Sequence, residues 1–408
     1  MERGEEINPR KGKEAGVLDR TRGAMADFFR QADWALLGLC FASSLYGIFL
    51  IYSATRYRGG YRSVIVQSAA LLLGIVAYFL MTQLDLEILI KRWQIIALFN
   101  VVLILLLLTP LGIGEEEVGN TAWLRLPGIP ISIGPAEVVK VTYILLLAKQ
   151  LAWLREEKHD LKSFPAAFQV AGHALGITGL YVLVSHDMGN ALVFFFIFLS
   201  MAFAAGFALR WFVLLFAAVG GAATAAWRMN FIPLYQKERF IVVFDHSYDE
   251  LGRGWHQARS MLALGSGGLF GQGYLHGTQT QSFASSSLPE RYTDFIFSVC
   301  GEELGMVGCL AIMVLLAAII FRIMVVARNA VSPFYFCVCM GMASMLMFQT
   351  VINIGMCLFV MPVIGITLPF FSYGGSSLLT LFIAMGIVSG IKMRSTTTIR
   401  WQSPGILR

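Results

Sequence analysis

Asp294, Glu302 and Glu303 are carboxylates written into an otherwise apolar stretch. Ionisable side chains at membrane depth are costly, which makes them candidates for function. Ser287-Leu-Pro-Glu290, just upstream, has the spacing of a capping box with proline in the first turn. It predicts a helix beginning near Leu288 and puts Asp294 in its second turn, at the membrane surface. A carboxylate there suits a general base. Glu302 and Glu303 lie about 12 Å deeper at 1.5 Å per residue and point to different faces, so at least one must find a polar partner within the bundle. Glu137 and Lys140 are three residues apart at the start of another apolar stretch and share a helix face. They form either a structural ion pair or the charged wall of a polar cavity. Asp187, in Ser-His-Asp-Met-Gly-Asn, either caps the helix that follows or belongs to the same polar surface. Trp123 is a membrane-interface residue or a stacking platform for a sugar ring.

The segment that must position these groups runs from Gly252 to Glu303. Trp255–Leu264 has helical spacing with Trp255, Ala258 and Leu262 on one face, which predicts a helix lying on the membrane surface. The glycine-rich run Gly265 to Gly273 lacks the lysine of a P-loop, and Phe270 stands where a dinucleotide fingerprint needs its last glycine. ATP and NAD chemistry are therefore poor fits. The run is a tight turn between packed helices or a backbone cradle for an anion. Between the last two apolar stretches, Pro362 to Ser377 contains two prolines and two pairs of small residues. Irregular backbone at that depth must line a cavity or be buried in protein.

Composition sets the frame. The 408 residues are 57% hydrophobic and 14% charged, with mean hydropathy +0.69, against about 25% charge in soluble domains. This is a membrane chain. Its net charge of +6 is a topology signal rather than a nucleic-acid footprint. The six cysteines lie in or beside apolar runs without zinc-type spacing and are expected to be small buried hydrophobes.

Ten apolar stretches follow a polar N-terminal tail of residues 1–33: about 34–52, 63–82, 93–108, 138–154, 165–184, 188–207, 211–227, 294–321, 333–360 and 371–391. The expected fold is an all-α polytopic membrane protein, with a membrane domain over 34–393, a large loop over about 228–293 and a C-terminal tail over 394–408. The first stretch is expected to be an uncleaved signal anchor. With both termini inside, the inner segments hold 19 Lys and Arg against 4 in the short outer loops, which favours that orientation. The long loop and Asp294 then face outside. No fixed-period repeat is evident.

Three motifs carry a resemblance. Leu288 to Gly305 (LPERYTDFIFSVCGEELG), Gly265 to Gln281 (GSGGLFGQGYLHGTQTQ) and Leu368 to Ser377 (LPFFSYGGSS) resemble the SEDS proteins, the family of RodA, FtsW and SpoVE. The likeness spans all ten stretches in order. Within the family, the stretch from Tyr274 to Gln281 and Asn353-Ile-Gly-Met are more similar to RodA. The resemblance implies a peptidoglycan glycosyltransferase that polymerises lipid II for elongation and rod shape, working with a class B penicillin-binding protein that supplies transpeptidation. It matches Asp294 to the family's essential aspartate, and Trp123, Glu137, Lys140, Asp187, Tyr235, Arg239 and Asp245 to further family positions. Ala122, Gly134, Ala136, His186 and Arg259 depart from the family pattern and leave substrate contacts open.

The implied reaction inverts an α-linked sugar on a polyprenyl pyrophosphate to a β linkage. It needs one base, assigned to Asp294, and cations for the departing pyrophosphate. Lys140, Arg239, Arg253 and Arg259 are candidates for that second duty, with a divalent ion, magnesium or manganese, as a further one. Arg125, His276, Glu290, Ser372 and Ser376 complete the candidate substrate contacts. Two rivals remain: a flippase for the lipid-linked precursor, and a non-catalytic scaffold for a transpeptidase. The clustering of polar motifs on one side argues against the flippase.

Overall fold

The structure is a computed structural model and describes residues 32–57, 59, 61–115, 120–125, 132–158, 160–246, 248, 254–284 and 287–402. All ten apolar stretches are helices, and most run beyond the apolar window into polar residues. In chain order the first are α1 (Trp34–Arg56), α2 (Tyr61–Gln83), a short α3 (Leu86–Lys91) and α4 (Trp93–Leu105), which closes in a 3-10 turn over Leu106–Leu108. A three-stranded antiparallel sheet follows: β1 (Gly112–Glu115), β2 (Asn120–Arg125) and β3 (Ser132–Ile133). Next come α5 (Pro135–Glu156), α6 (Phe164–Ser185), α7 (Met188–Ala205) and α8 (Leu209–Arg228). The long loop contains α9 (Leu234–Phe244) and α10 (Trp255–Gly267). The chain then forms α11 (Ile296–Arg328), α12 (Pro333–Cys357) and α13 (Gly375–Gln402).

Local chemistry sets the ends. Asp33, Ser163, Asp187 and Ser332 each cap a helix by accepting a backbone N–H, and Pro135 and Pro333 open theirs, where a missing N–H is harmless. Among the described residues, eight helices are long and apolar enough to cross a membrane: α1, α2, α6, α7, α8, α11, α12 and α13. The chain is a multi-pass membrane protein. Helix α4 is shorter, and α5 carries Glu137, Lys140, Lys149 and Arg155. Helix α5 tolerates that charge because it packs against α4, α6, α7, α12 and α13, so its central face meets protein rather than lipid. At the other extreme, α8 buries none of its residues.

Two expectations need correction. The last helix of the large-loop motif begins at Ile296, not near Leu288, and residues 289–295 form turns. Glu290 has φ 41, a left-handed conformation that breaks the capping box. Ser287 instead donates to the Ala284 carbonyl (2.7 Å) and accepts from Arg291 (2.6 Å). Asp294 therefore sits just ahead of the helix rather than inside its second turn. Helix α10 leaves the Ala258 and Leu262 face outward and packs its other face on protein. Gln257, Ser260, Ala263 and Gly267 are buried against α11 and α12, while Ala258 and Leu262 are exposed. Small and polar residues allow that close helix contact. Finally, α12 ends at Cys357 and α13 starts at Gly375, so the break between them is longer than expected.

Candidate active site

Asp294 is half-buried, and its backbone is held from two sides. Asn353 of α12 donates from Nδ2 to the Asp294 carbonyl (2.8 Å) and to the Ile366 carbonyl (2.8 Å), and the Cys357 thiol also reaches the Asp294 carbonyl (3.8 Å). Ser372 donates to the Thr293 carbonyl (2.6 Å), and the Tyr373 N–H donates to the Tyr292 carbonyl (2.9 Å). The turn bearing Asp294 is thus laced to the irregular segment between α12 and α13. Three of that segment's residues, Phe359, Gly365 and Phe370, have positive φ. The segment is pinned in turn by the fully buried Gln67 of α2, which donates to the Ser372 carbonyl (3.1 Å) and accepts from the Gly374 N–H (3.0 Å).

The same segment joins two further groups of candidates to Asp294. The Ile364 carbonyl lies so close to Gly189 that a Cβ there would stand 2.1 Å from it, and the same Cβ would be 3.3 Å from Asp187 Oδ1. A Cβ on the neighbouring Gly365 would be 4.0 Å from Asp294 Oδ2. Asp187 and Asp294 therefore flank Ile364–Gly365. Asp187 does cap α7, through Oδ1 to the Asn190 N–H (3.1 Å), and its Oδ2 accepts from Tyr181 (3.1 Å) and Asn190 (2.8 Å). At the start of α13, Ser376 accepts from the Gly134 N–H (3.3 Å) and Ser377 donates to Glu137 Oε2 (3.4 Å). Glu137 Oε1 meets Lys140 Nζ at 2.7 Å, and Lys140 is fully buried. Its charge is used within the protein in this conformation. Trp123 lies over Gly134, with a ring carbon 3.2 Å from where a Cβ would be, and keeps 39% of its surface exposed.

The glycine-rich run is a structural wedge. Gly305 (φ 69, ψ −165) interrupts α11, and the run fills the break. Gln272 and Gly273 donate to the Glu302 and Glu303 carbonyls (2.8 and 3.1 Å), while Met306 and Val307 donate to Gly268 and Leu269 (3.0 and 3.2 Å). A Cβ on Gly271 would stand 2.2 Å from the Glu303 carbonyl oxygen, so only glycine fits. Both buried glutamates find partners. Glu302 accepts from Thr278 (3.1 Å), from the Gln279 and Thr280 N–H groups (2.6 and 2.8 Å) and from the Thr280 hydroxyl (2.6 Å). Glu303 accepts from Ser53 (2.6 Å) and Gln281 (2.8 Å). Arg291, a residue the motif reading did not single out, is buried. It donates to the carbonyls of Leu288, Gln279, Thr280 and Ser282 and lies 3.9 Å over the Tyr57 ring. These contacts fix the loop that delivers Asp294.

Other candidates are placed apart. His276 is exposed, meets the Tyr274 carbonyl (2.8 Å) and precedes Gly277, whose Cα abuts Glu302. It stands with Tyr274, which stacks on Phe49 (3.8 Å) and donates to the Phe49 carbonyl (2.9 Å). Burial first, then the Glu303 charge, pushes the Tyr274 phenol up to about 12, so it stays a donor at neutral pH. Glu290 is exposed and accepts from the Thr293 hydroxyl (2.9 Å). Arg125 is exposed at the end of β2. Arg259 lies 4.0 Å over the Trp255 ring. Asp245 ends α9, which also carries Tyr235 and Arg239, and the adjacent His246 packs at a tilt against the Phe359 ring (4.2 Å between centroids). Arg253 lies outside the described residues. Among the described residues, no three His, Cys, Asp or Glu side chains stand together as a metal group.

This arrangement has counterparts. Residues 28–397 match the family model FTSW_RODA_SPOVE, described as cell cycle protein. The chain is 30% identical over 378 residues to the probable peptidoglycan glycosyltransferase FtsW of Geobacter metallireducens, covering 90% of this chain and 96% of that one. It is 32% identical over 370 residues to the peptidoglycan glycosyltransferase MrdB of Escherichia coli, covering 88% and 93%. A solved peptidoglycan synthase complex, described as coordinating polymerization and crosslinking, contains a chain that superimposes with TM-score 0.71 at 30% identity, over 89% of this chain and 98% of that one. The rod shape determining protein RodA of Thermus thermophilus superimposes with TM-score 0.63 at 28% identity, over 88% and 96%. With a family match over residues 28–397, and with the motifs around Asp294, Gly305 and Ser372 in one connected structure, this chain belongs to the FtsW/RodA/SpoVE family.

Proposed function

We propose that this chain is a peptidoglycan glycosyltransferase that polymerises lipid II with inversion at the reacting sugar. One observation carries the reading. A half-buried carboxylate, Asp294, is held by its own backbone at the mouth of a helix, with Gly365 and no larger side chain beside its Oδ2. A general base needs that combination of fixed position and access. The Asp294 carboxylate takes the proton of the acceptor sugar's hydroxyl as that oxygen bonds to the anomeric carbon of the donor. The bond from that carbon to the pyrophosphate breaks, and the pyrophosphate leaves with the electron pair. Arg239 and Arg259 are the cations proposed to receive its charge; Lys140 is held by Glu137. The described residues do not fit an all-protein cage for magnesium or manganese, which needs several carboxylates together.

The orientation supports an outward-facing site. Asp33 and Ser53 are 20 residues apart on α1, about 30 Å, the thickness of the bilayer hydrocarbon. Ser53 contacts Glu303 near the Asp294 end, whereas Asp33 lies at the end where Lys and Arg accumulate. The proposed partner is a single-span class B penicillin-binding protein, which would add the cross-linking chemistry; the similar chain from a complex that coordinates polymerization and crosslinking supports it. The test is incubation of the purified protein, alone and with such a partner, with labelled lipid II. Glycan polymer is expected. Translocation of lipid II across liposomes with no polymer formed would replace this reading with a flippase.

A further inference from the structure

The end of the molecule remote from Asp294 holds a second, separate group of charges. Asp33 is completely buried there. Arg322 of α11 meets it through Nε to Oδ2 (2.9 Å) and Nη2 to Oδ1 (3.0 Å), and Lys392 of α13 reaches Oδ1 (3.3 Å). The Asp33 carbonyl accepts from Tyr78 (2.8 Å), and its N–H donates to Ser389 (3.1 Å). Two cations thus face one carboxylate, which leaves a net positive charge. Both cations remain partly exposed, at 28% and 30% of their side chains.

Beside them, between α11 and α13, lies a cleft of about 370 Å³ lined by Arg322, Val325, Val326, Asn329, Lys392 and Ser395. Ser395 is only 3% exposed, and among the described residues its hydroxyl has no hydrogen-bond partner. Leaving such a group unbonded costs about 1–3 kcal/mol, which an acceptor bound in the cleft would offset. Lys392 and Ser395 are three apart on α13 and share a face, as do Arg322, Val325 and Asn329 on α11. Residues bearing ammonium, guanidinium and hydroxyl donors therefore line one space whose surface is mostly apolar. The lipid-facing surface next to it is apolar, with Phe321 and Met324 largely exposed. Cationic donors at interface depth, opening onto an apolar helix face, match a lipid headgroup with its chains better than a free ion.

We propose that this cleft binds the phosphodiester headgroup of an anionic phospholipid from the leaflet at the Asp33 end. The assignment is independent of the glycosyltransferase reading. The test uses the full-length protein in phosphatidylcholine nanodiscs, with and without phosphatidylglycerol, and reads the thermal unfolding midpoint and the bound phosphatidylglycerol by native mass spectrometry. Wild type is expected to bind phosphatidylglycerol and unfold at a higher temperature in its presence. Ser395→Leu fills the cleft while leaving the Asp33 partners in place, so it should match wild type in phosphatidylcholine and lose the shift. Lys392→Gln keeps the Arg322–Asp33 pair and should weaken lipid binding about tenfold, the loss of one charge-assisted bond; it decides the matter should Ser395→Leu fail to fold. An undiminished shift in the foldable variants, or no shift in wild type, would overturn the proposal. An equal shift from inorganic phosphate alone would overturn the lipid assignment in favour of a free anion.

Discussion

Replacing Lys140 by methionine removes one half of an ion pair that is almost wholly out of solvent. Lys140 is fully buried and the Glu137 side chain is 13% exposed, with 2.7 Å between the charged atoms. An exposed pair of the same geometry contributes about 0–1 kcal/mol. Breaking a buried pair costs about 3–5 kcal/mol, because the remaining carboxylate is stranded. Lys140→Met should therefore shift the folding equilibrium by about a hundredfold or more. The double variant Glu137→Gln/Lys140→Met removes both charges, keeps the volume and an acceptor for Ser377, and should come back to within about 1 kcal/mol of wild type. Unfolding of both variants by a denaturing detergent, followed by tryptophan fluorescence, measures the difference. A single variant within about 1 kcal/mol of wild type would refute the buried-pair argument. The double variant also separates the two roles open to this pair. Retained polymerisation makes the pair structural, whereas a stable but inactive double variant makes it the charged wall of the substrate cavity.

Asn353→Ala releases the Asp294 and Ile366 carbonyls together and should lower kcat by about tenfold or more with little change in KM, because it loosens the base rather than a substrate contact; single-turnover polymerisation with wild-type rates would contradict this. Gly305→Ala puts a side chain at φ 69, ψ −165, a conformation open essentially to glycine, with its Cβ 2.4 Å from the Gly271 nitrogen. It should destabilise by about 3 kcal/mol or more, read as a lowered unfolding temperature and poor expression.

Much of the architecture was legible because hydropathy and capping chemistry are local. The ten apolar stretches are visible as runs, and Asp187 and Pro333 mark helix starts by type alone. The three-stranded sheet was not legible, since its strands are short and interrupted by glycines and prolines. The capping-box reading of Ser287–Glu290 failed because Arg291 draws four loop carbonyls and Ser287 toward itself, a long-range demand that outweighs the local motif. The roles of Gln67 and of Asn353, the latter named only within a RodA-like motif, were equally hidden. Each is an ordinary amide inside an apolar helix, and its importance lies in carbonyls far away in sequence. The signal that could have exposed them is the rule that buried side-chain amides must be bonded. Irregular backbone at Pro362–Ser377, read as needing cover, receives that cover from these two amides.

The most direct test of the central claim is the rate of lipid II polymerisation by the purified protein and its Asp294→Asn variant, with substrate binding measured in parallel. Asparagine keeps the size of the side chain and removes the base. The account predicts a rate at least about a hundredfold lower with binding retained, the low end of what general-base catalysis contributes. Polymerisation by Asp294→Asn at the wild-type rate would contradict it.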